Sequence, residues 1–297
     1  MSLVSLTGEP DVNVALNAPV LQPNPQTYAV AQRIADAKIS QDYTCKTHEG
    51  RERVGHWVKA NVTCPLHPSS YAIRIIPFLK WNEPQPKSPA FVPVEIALGS
   101  CISGFPEHIK PEHIKQRIEK YRTNGRTGGG GTAPACGDYV PELSLYIAHE
   151  GKHRVAFMRQ QGESRFLSNV YVRHYPAAHR IKIIRSSDFP DCPYFVVLDG
   201  RYLQLLSHDC SIDLLKSYGV EEVSWRELNA PTEQFVFNAI VESGLLWRSP
   251  DDISEAARSF DLVKLAADEL AQIQAQTKKQ NRSIVDRFVD WIHRVTS

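Results

Sequence analysis

The pattern of apolar and polar positions changes character several times along the 297-residue chain. Residues 1–26 hold no sustained period and carry Pro10, Pro19, Pro23 and Pro25, which predicts an extended arm, ordered only where it lies on something. Ala29, Ala31, Ile34 and Ala35 then fall on one side of a short helix. From Tyr43 to Trp81, VGHWVKANVT and YAIRIIPFLKW are rich in β-branched and aromatic residues between turn signals, which predicts strands. Residues 27–83 thus read as a β-rich N-terminal unit. Pro84, Pro86 and Pro89 cannot pair in a central strand and mark a linker.

Beyond the linker, VPVEIALGS reads as a strand. The pentapeptide Pro-Glu-His-Ile-Lys then occurs twice, from Pro106 and from Pro111. Pro111 suits a first helical turn, Ile114, Ile118 and Tyr121 form a stripe at i, i+4, i+7, and Gly125 stops the helix. Gly128–Gly131 are too costly in backbone entropy for an element interior and read as a mobile loop, since no Gly-Lys-Ser/Thr follows to make a P-loop. Leu143–Ala148 as strand, a polar turn, Val155–Gln161 as helix and Val170–Tyr175 as strand follow the order of a crossover between parallel strands. Farther on, YFVVLDGRYLQLL predicts a hairpin turning at Asp199-Gly200. Ile212–Tyr218 reads as helix, Val220–Trp225 as strand, and two further helices are predicted, one capped by Ser249 and one over Ser283–Val295.

Composition narrows the class of protein. A net charge of +1, from 34 basic and 33 acidic residues, excludes a polyanion-coating protein but not a local basic groove. No apolar run approaches the roughly 18 residues of a membrane span, and the N-terminus lacks the pattern of a signal peptide. Six cysteines are too few for a secreted disulfide scaffold, so the expectation is a cytoplasmic protein with reduced thiols and no membrane partner.

Chemistry concentrates at His149-Glu150-Gly151-Lys152-His153-Arg154, a predicted strand-to-helix turn. A helix start presents unpaired amides and the positive end of its dipole, and Gly151 lets a ligand approach the backbone. Lys152, His153 and Arg154 add donors for phosphate oxygens, while Glu150 offers a carboxylate to hold a metal ion or orient a water. A solvated polar turn is the competing reading.

At these residues the sequence resembles a family. YIAHEGKHRVAFMRQQG is similar to the signature of the ParB/sulfiredoxin-like superfamily: a strand, an acid-Gly-x-His/Arg-Arg turn, and a helix with Ala near its start. VPVEIALG and PEHIKQRIEKYRTNG resemble its opening strand and the helix before its central loop, and NVYVRHY its closing strand. The likeness covers Val92–Ile184, under a third of the chain. It implies a nucleotide-binding core over residues 90–185, within an α+β chain whose residues 186–297 form a mixed hairpin and helical extension. Members include CTP-hydrolysing partition proteins, ATP-dependent sulfiredoxins, free-serine kinases, and plasmid- or phage-borne ATPases and nucleases.

By position, the resemblance makes Gly151, Lys152, His153 and Arg154 nucleotide-binding and Glu150, His153 and Arg154 catalytic. Glu150 stands where Asp is usual, which lengthens the reach of the carboxylate by one methylene. The turn has no Cys for sulfiredoxin chemistry, and no helix-turn-helix with a dimerisation domain follows for a partition role. The implied function is hydrolysis or transfer of a phosphoryl group of ATP or another NTP with Mg2+, with DNA a further partner in a plasmid, phage or defence setting. The alternative is a non-catalytic platform docking a conjugation, secretion or defence partner through the N- or C-terminal extension.

A second constellation is metal-like. Cys45-x-x-His48 and Cys64-x-x-His67 supply four N/S ligands at hairpin-like separation, as a structural Zn2+ site requires, although the usual second residue of each pair is Cys. Buried thiols beside surface imidazoles are the competing reading. Cys101, Cys136, Cys192 and Cys210 have no paired spacing, and His208-Asp209-Cys210 combines catalytic residue types without implying triad geometry. The basic run Lys278–Arg282 reads as a solvated connection.

Overall fold

Pro19–Leu21 runs beside a sheet edge, with the Leu21 amide donating to Phe91 O at 2.9 Å and the Phe91 amide to Pro19 O at 2.8 Å. The computed structural model describes residues 17–44, 67–81, 83–100, 110–122, 135–186, 194–206, 208–228, 230–244 and 258–296, with side chains described to residue 279. It is a mixed α+β structure with two five-stranded mixed sheets and, among the described residues, seven α-helices.

Helix α1 (Tyr28–Thr44) buries Val30, Ala31, Ile34 and Ala35. The same stripe continues one and two turns later into Lys38 and Asp42, a buried ion pair at 2.6 Å. Helix α2 (Pro68–Ile75) occupies part of the segment predicted as strand. Pro68 starts it and His67 Nδ1 caps it, accepting from the Ser69 amide at 3.2 Å. Its buried positions Tyr71, Ala72 and Ile75, followed by Ile76 and Leu79, have helical spacing. The β-branched composition suggested strand because β-propensity expresses fit to a packed surface, and this surface is the core side of a helix.

The first sheet has the order β1-β5-β3-β4-β2, from β1 (Lys87–Pro93), β2 (Ala97–Leu98), β3 (Cys136–Val140), β4 (Leu145–Glu150) and β5 (Arg165–Val172). Pro89 lies in β1, but β1 is an edge strand, where its missing donor costs no central ladder bond. Helix α4 (Lys152–Gln160) links β4 to β5, yet these strands are neither adjacent nor parallel. β3 lies between them, antiparallel to β4 and parallel to β5. The expected parallel crossover is therefore corrected. β4 ends and β5 begins at the same end of the sheet, so the short α4 bridges that end instead of running back along the strands. Helix α3 (Pro111–Arg122) packs over β5 and α4, where Tyr121 meets Phe157 edge-on at 5.5 Å.

The second sheet has the order β10-β8-β7-β6-β9. It comprises β6 (Ile181–Arg185), β7 (Tyr194–Leu198), β8 (Tyr202–Leu205), β9 (Glu221–Val223) and β10 (Phe260–Asp261). Asp199 and Gly200 both have positive φ, 55° and 65°, and make the predicted hairpin turn between β7 and β8. Alternation divides its two faces: Ile183 and Val196 join the main core, while Ile184, Phe195 and Val197 join a second cluster with Val236, Ile240 and Leu262. Helix α5 (Asp209–Ser217) contributes Leu214 and Leu215 to the main core. Helices α6 (Glu233–Glu242) and α7 (Leu262–Thr296) supply the second cluster. The predicted cap at Ser249 lies outside the described residues, and the last predicted helix is the continuation of α7.

Candidate functional site

The strand-to-helix turn lies where two parallel neighbours, β2 and β4, end side by side. In open α/β sheets, ligands commonly bind beyond the carboxyl ends of parallel strands. Here the approach of α4 is very close. The Ser100 amide donates to Lys152 O at 2.7 Å, and a Cβ on Gly99 would stand 2.3 Å from Val155 Cβ. Gly151 turns the corner at φ 81°, and a Cβ there would meet Ala135 Cβ at 2.9 Å. No side chain caps α4. The Arg154 amide donates to Gly151 O at 2.8 Å, which closes the first turn of α4 on the corner residue itself.

The candidate residues do not all face the same way. Glu150 is exposed opposite Cys136, and Gly151, Lys152 and His153 are half-buried. Arg154 turns inward: it is 8% exposed, with its guanidinium 5.3 Å from the Tyr121 ring centroid. Burial holds its pKa below the ordinary value, opposed by Tyr121, Tyr146 and Glu150. The charge of Lys152 helps to depress the pKa of His67, behind the larger effect of burial.

Just before the turn the structure assembles a relay the sequence did not reveal. The β3–β4 register shifts so that Gly137 pairs with Ala148 and Cys136 with Glu150, which leaves His149 as the extra residue of a bulge. Bulges re-aim side chains, and here the imidazole lies between two partners. Its Nε2 is 2.8 Å from Asp138 Oδ2, and Ser69 Oγ is 3.2 Å from Nδ1. Asp138 is 1% exposed, and its other oxygen lies 2.7 Å from Arg173 Nε. A carboxylate accepts only, so Nε2 donates to Asp138, and in the neutral imidazole Nδ1 is then the acceptor for the Ser69 hydroxyl. Ser69 and His149 are 80 residues apart, and their meeting has no local sequence signal. Only the HEGKHR turn marked the neighbourhood.

Deeper in the same region, Lys38 Nζ reaches both oxygens of Asp42 at 2.6 Å. Burial raises the Asp42 pKa against the opposing pull of Lys38. Cys210, pushed up to about 11 chiefly by burial, is poorly suited to act as a nucleophile. Neighbouring His208 is held below its ordinary value by burial and then by Arg74.

Of the zinc candidates, Cys45, His48 and Cys64 lie outside the described residues, as do Cys101 and Cys192. His67 has committed Nδ1 to the α2 cap. Among the described residues there is no group of three or more His, Cys, Asp or Glu side chains able to hold a metal ion. No described helix is long and apolar enough to cross a membrane. No family model, curated protein or solved structure matches the chain.

Proposed function

We propose that the β4–α4 corner receives the polyphosphate of a nucleoside triphosphate, and that the protein hydrolyses or transfers its terminal phosphoryl group. One observation carries this reading: an uncapped helix start, entered through Gly151 at φ 81°, set at the adjoining ends of two parallel strands. Helix amides and dipole favour an anion there, and Lys152 adds a cation. The resemblance to ParB/sulfiredoxin-like proteins supports the same turn as a nucleotide site. Glu150, exposed beside it, is suited to orienting a water. Arg154 is assigned a supporting role between α3 and β4, because its guanidinium lies toward Tyr121 and Tyr146.

The described residues do not form a protein cage for a metal. Mg2+ fits this site as an ion carried by the nucleotide's phosphates, where it neutralises charge developing on them. Action on DNA is supported by the resemblance alone.

The test is titration of the full chain with ATP, CTP and GTP in Mg2+, followed by product analysis. Saturable binding of at least one nucleotide, weakened at least 10-fold by Lys152→Ala, with release of the diphosphate, is the expected result. Absence of binding by all three would leave the corner a docking surface and overturn the catalytic reading.

A further inference from the structure

The Ser69–His149–Asp138 relay has the arrangement of an activated nucleophile: a hydroxyl on an imidazole nitrogen, with the opposite nitrogen fixed by a buried carboxylate. Arg173 balances the charge of that carboxylate, so its orientation does not depend on solvent. Ser69 is half-buried at the second position of α2, where the helix dipole favours negative charge developing on Oγ. The relay adjoins the corner, because His149 lies two residues before Gly151 and Lys152 acts electrostatically on His67, the cap of the helix carrying Ser69. A serine nucleophile near a lysine and a helix start without a side-chain cap suits an anionic electrophile.

We propose that Ser69 is the catalytic nucleophile of this site and accepts the terminal phosphoryl group of a nucleotide held at the β4–α4 corner, with His149 as its base and Asp138 as the positioning residue. The proposal rests on the nucleotide reading above. In the first step Ser69 Oγ forms a bond to the terminal phosphorus while the bond from phosphorus to the bridging oxygen breaks. The diphosphate leaves with that electron pair, and the Oγ proton passes to His149 Nδ1. The imidazolium so formed keeps its Nε2–H on Asp138. In the second step water attacks the phosphoserine, the Oγ–P bond breaks, His149 returns the proton to Oγ, and phosphate leaves with the protons of water.

Two in-line displacements retain configuration at phosphorus, whereas direct attack by water inverts it. With a nucleotide made chiral at its terminal phosphorus, the full chain is expected to give retention. Inversion would overturn the proposal. Ser69→Ala is expected to bind nucleotide as the original protein does and to turn over at least about 100-fold more slowly, the lower end of the range for losing such catalysis. A Ser69→Ala protein that binds and turns over normally would reject Ser69 while leaving the corner reading intact. No nucleotide binding at all would remove the corner reading, and this inference with it. Asp138→Asn, which presents the wrong tautomer of His149 to Ser69, is expected to slow turnover without weakening nucleotide binding. Normal turnover in that variant would exclude Asp138 from the relay.

Discussion

Lys38 and Asp42 are four residues apart on α1, and neither is measurably exposed beyond 1%. Burying both charges is expensive, and their attraction offsets the expense only while both are present. Lys38→Met is therefore expected to cost about 3–5 kcal/mol in urea unfolding, whereas Lys38→Met with Asp42→Leu recovers most of that loss. A double variant no better than the single one would show that other contacts made by Lys38 dominate. Histidines set a pH dependence of definite sign. Burial, with nearby cations, lowers the pKa of His67 and His208 below 6.5 in the folded protein. The unfolded chain then binds more protons in acid, so this stability is fully present above 6.5 and declines as pH falls below it. The slope is at most about 1.4 kcal/mol per pH unit for each group. Asp42, raised by burial, acts in the opposite sense at lower pH, so the informative measurement is a difference. Between pH 7.5 and 5.5 the urea midpoint should fall less in His208→Gln than in the original protein, and equal falls would contradict the assignment.

At the scale of elements, the corner depends on how closely α4 approaches β2. Gly99 has no room for a methyl group: its Cβ would lie 2.3 Å from Val155 Cβ and 2.7 Å from Lys152 O. Gly99→Ala must displace the first turn of α4, at an expected cost of about 1–3 kcal/mol, the usual range for overpacking. Nucleotide affinity should fall with it, measured in the same titration, and a variant normal in both respects would contradict the packing account. The elements legible in the sequence were those with local causes. Asp199-Gly200 specified a turn through its backbone preference, and Pro111 with Ile114, Ile118 and Tyr121 specified α3. Helix α2 was not legible from composition, because Tyr71, Ala72 and Ile75 fit a helical core face as well as a pleated one. Strand directions were not legible either: β3, which separates β4 from β5, has the sequence CGDYV, too short and mixed to announce a strand.

The whole molecule joins its two sheets through the main core, and the β6–β7 pair also faces a second core under α6 and α7. Beyond that cluster α7 leaves Val263, Leu270 and Ile273 more than half exposed. The corner itself was legible in HEGKHR, because its chemistry is contiguous in sequence. The relay was not, because Ser69, Asp138 and His149 come from α2, β3 and β4 and meet only through tertiary packing and a bulge. The orientation of Arg154 was not legible for a related reason: sequence lists its charge but not the side of the helix that α3 covers. The central claim is that the amides opening α4 receive a polyphosphate. Its most direct test follows the backbone amide resonances of the isotopically labelled chain while Mg2+ and ATP, CTP or GTP are added. Saturable shifts at Lys152 and His153, lost in Gly151→Val, are the predicted result; unchanged resonances at that turn, with any shifts confined to other surfaces, would contradict it.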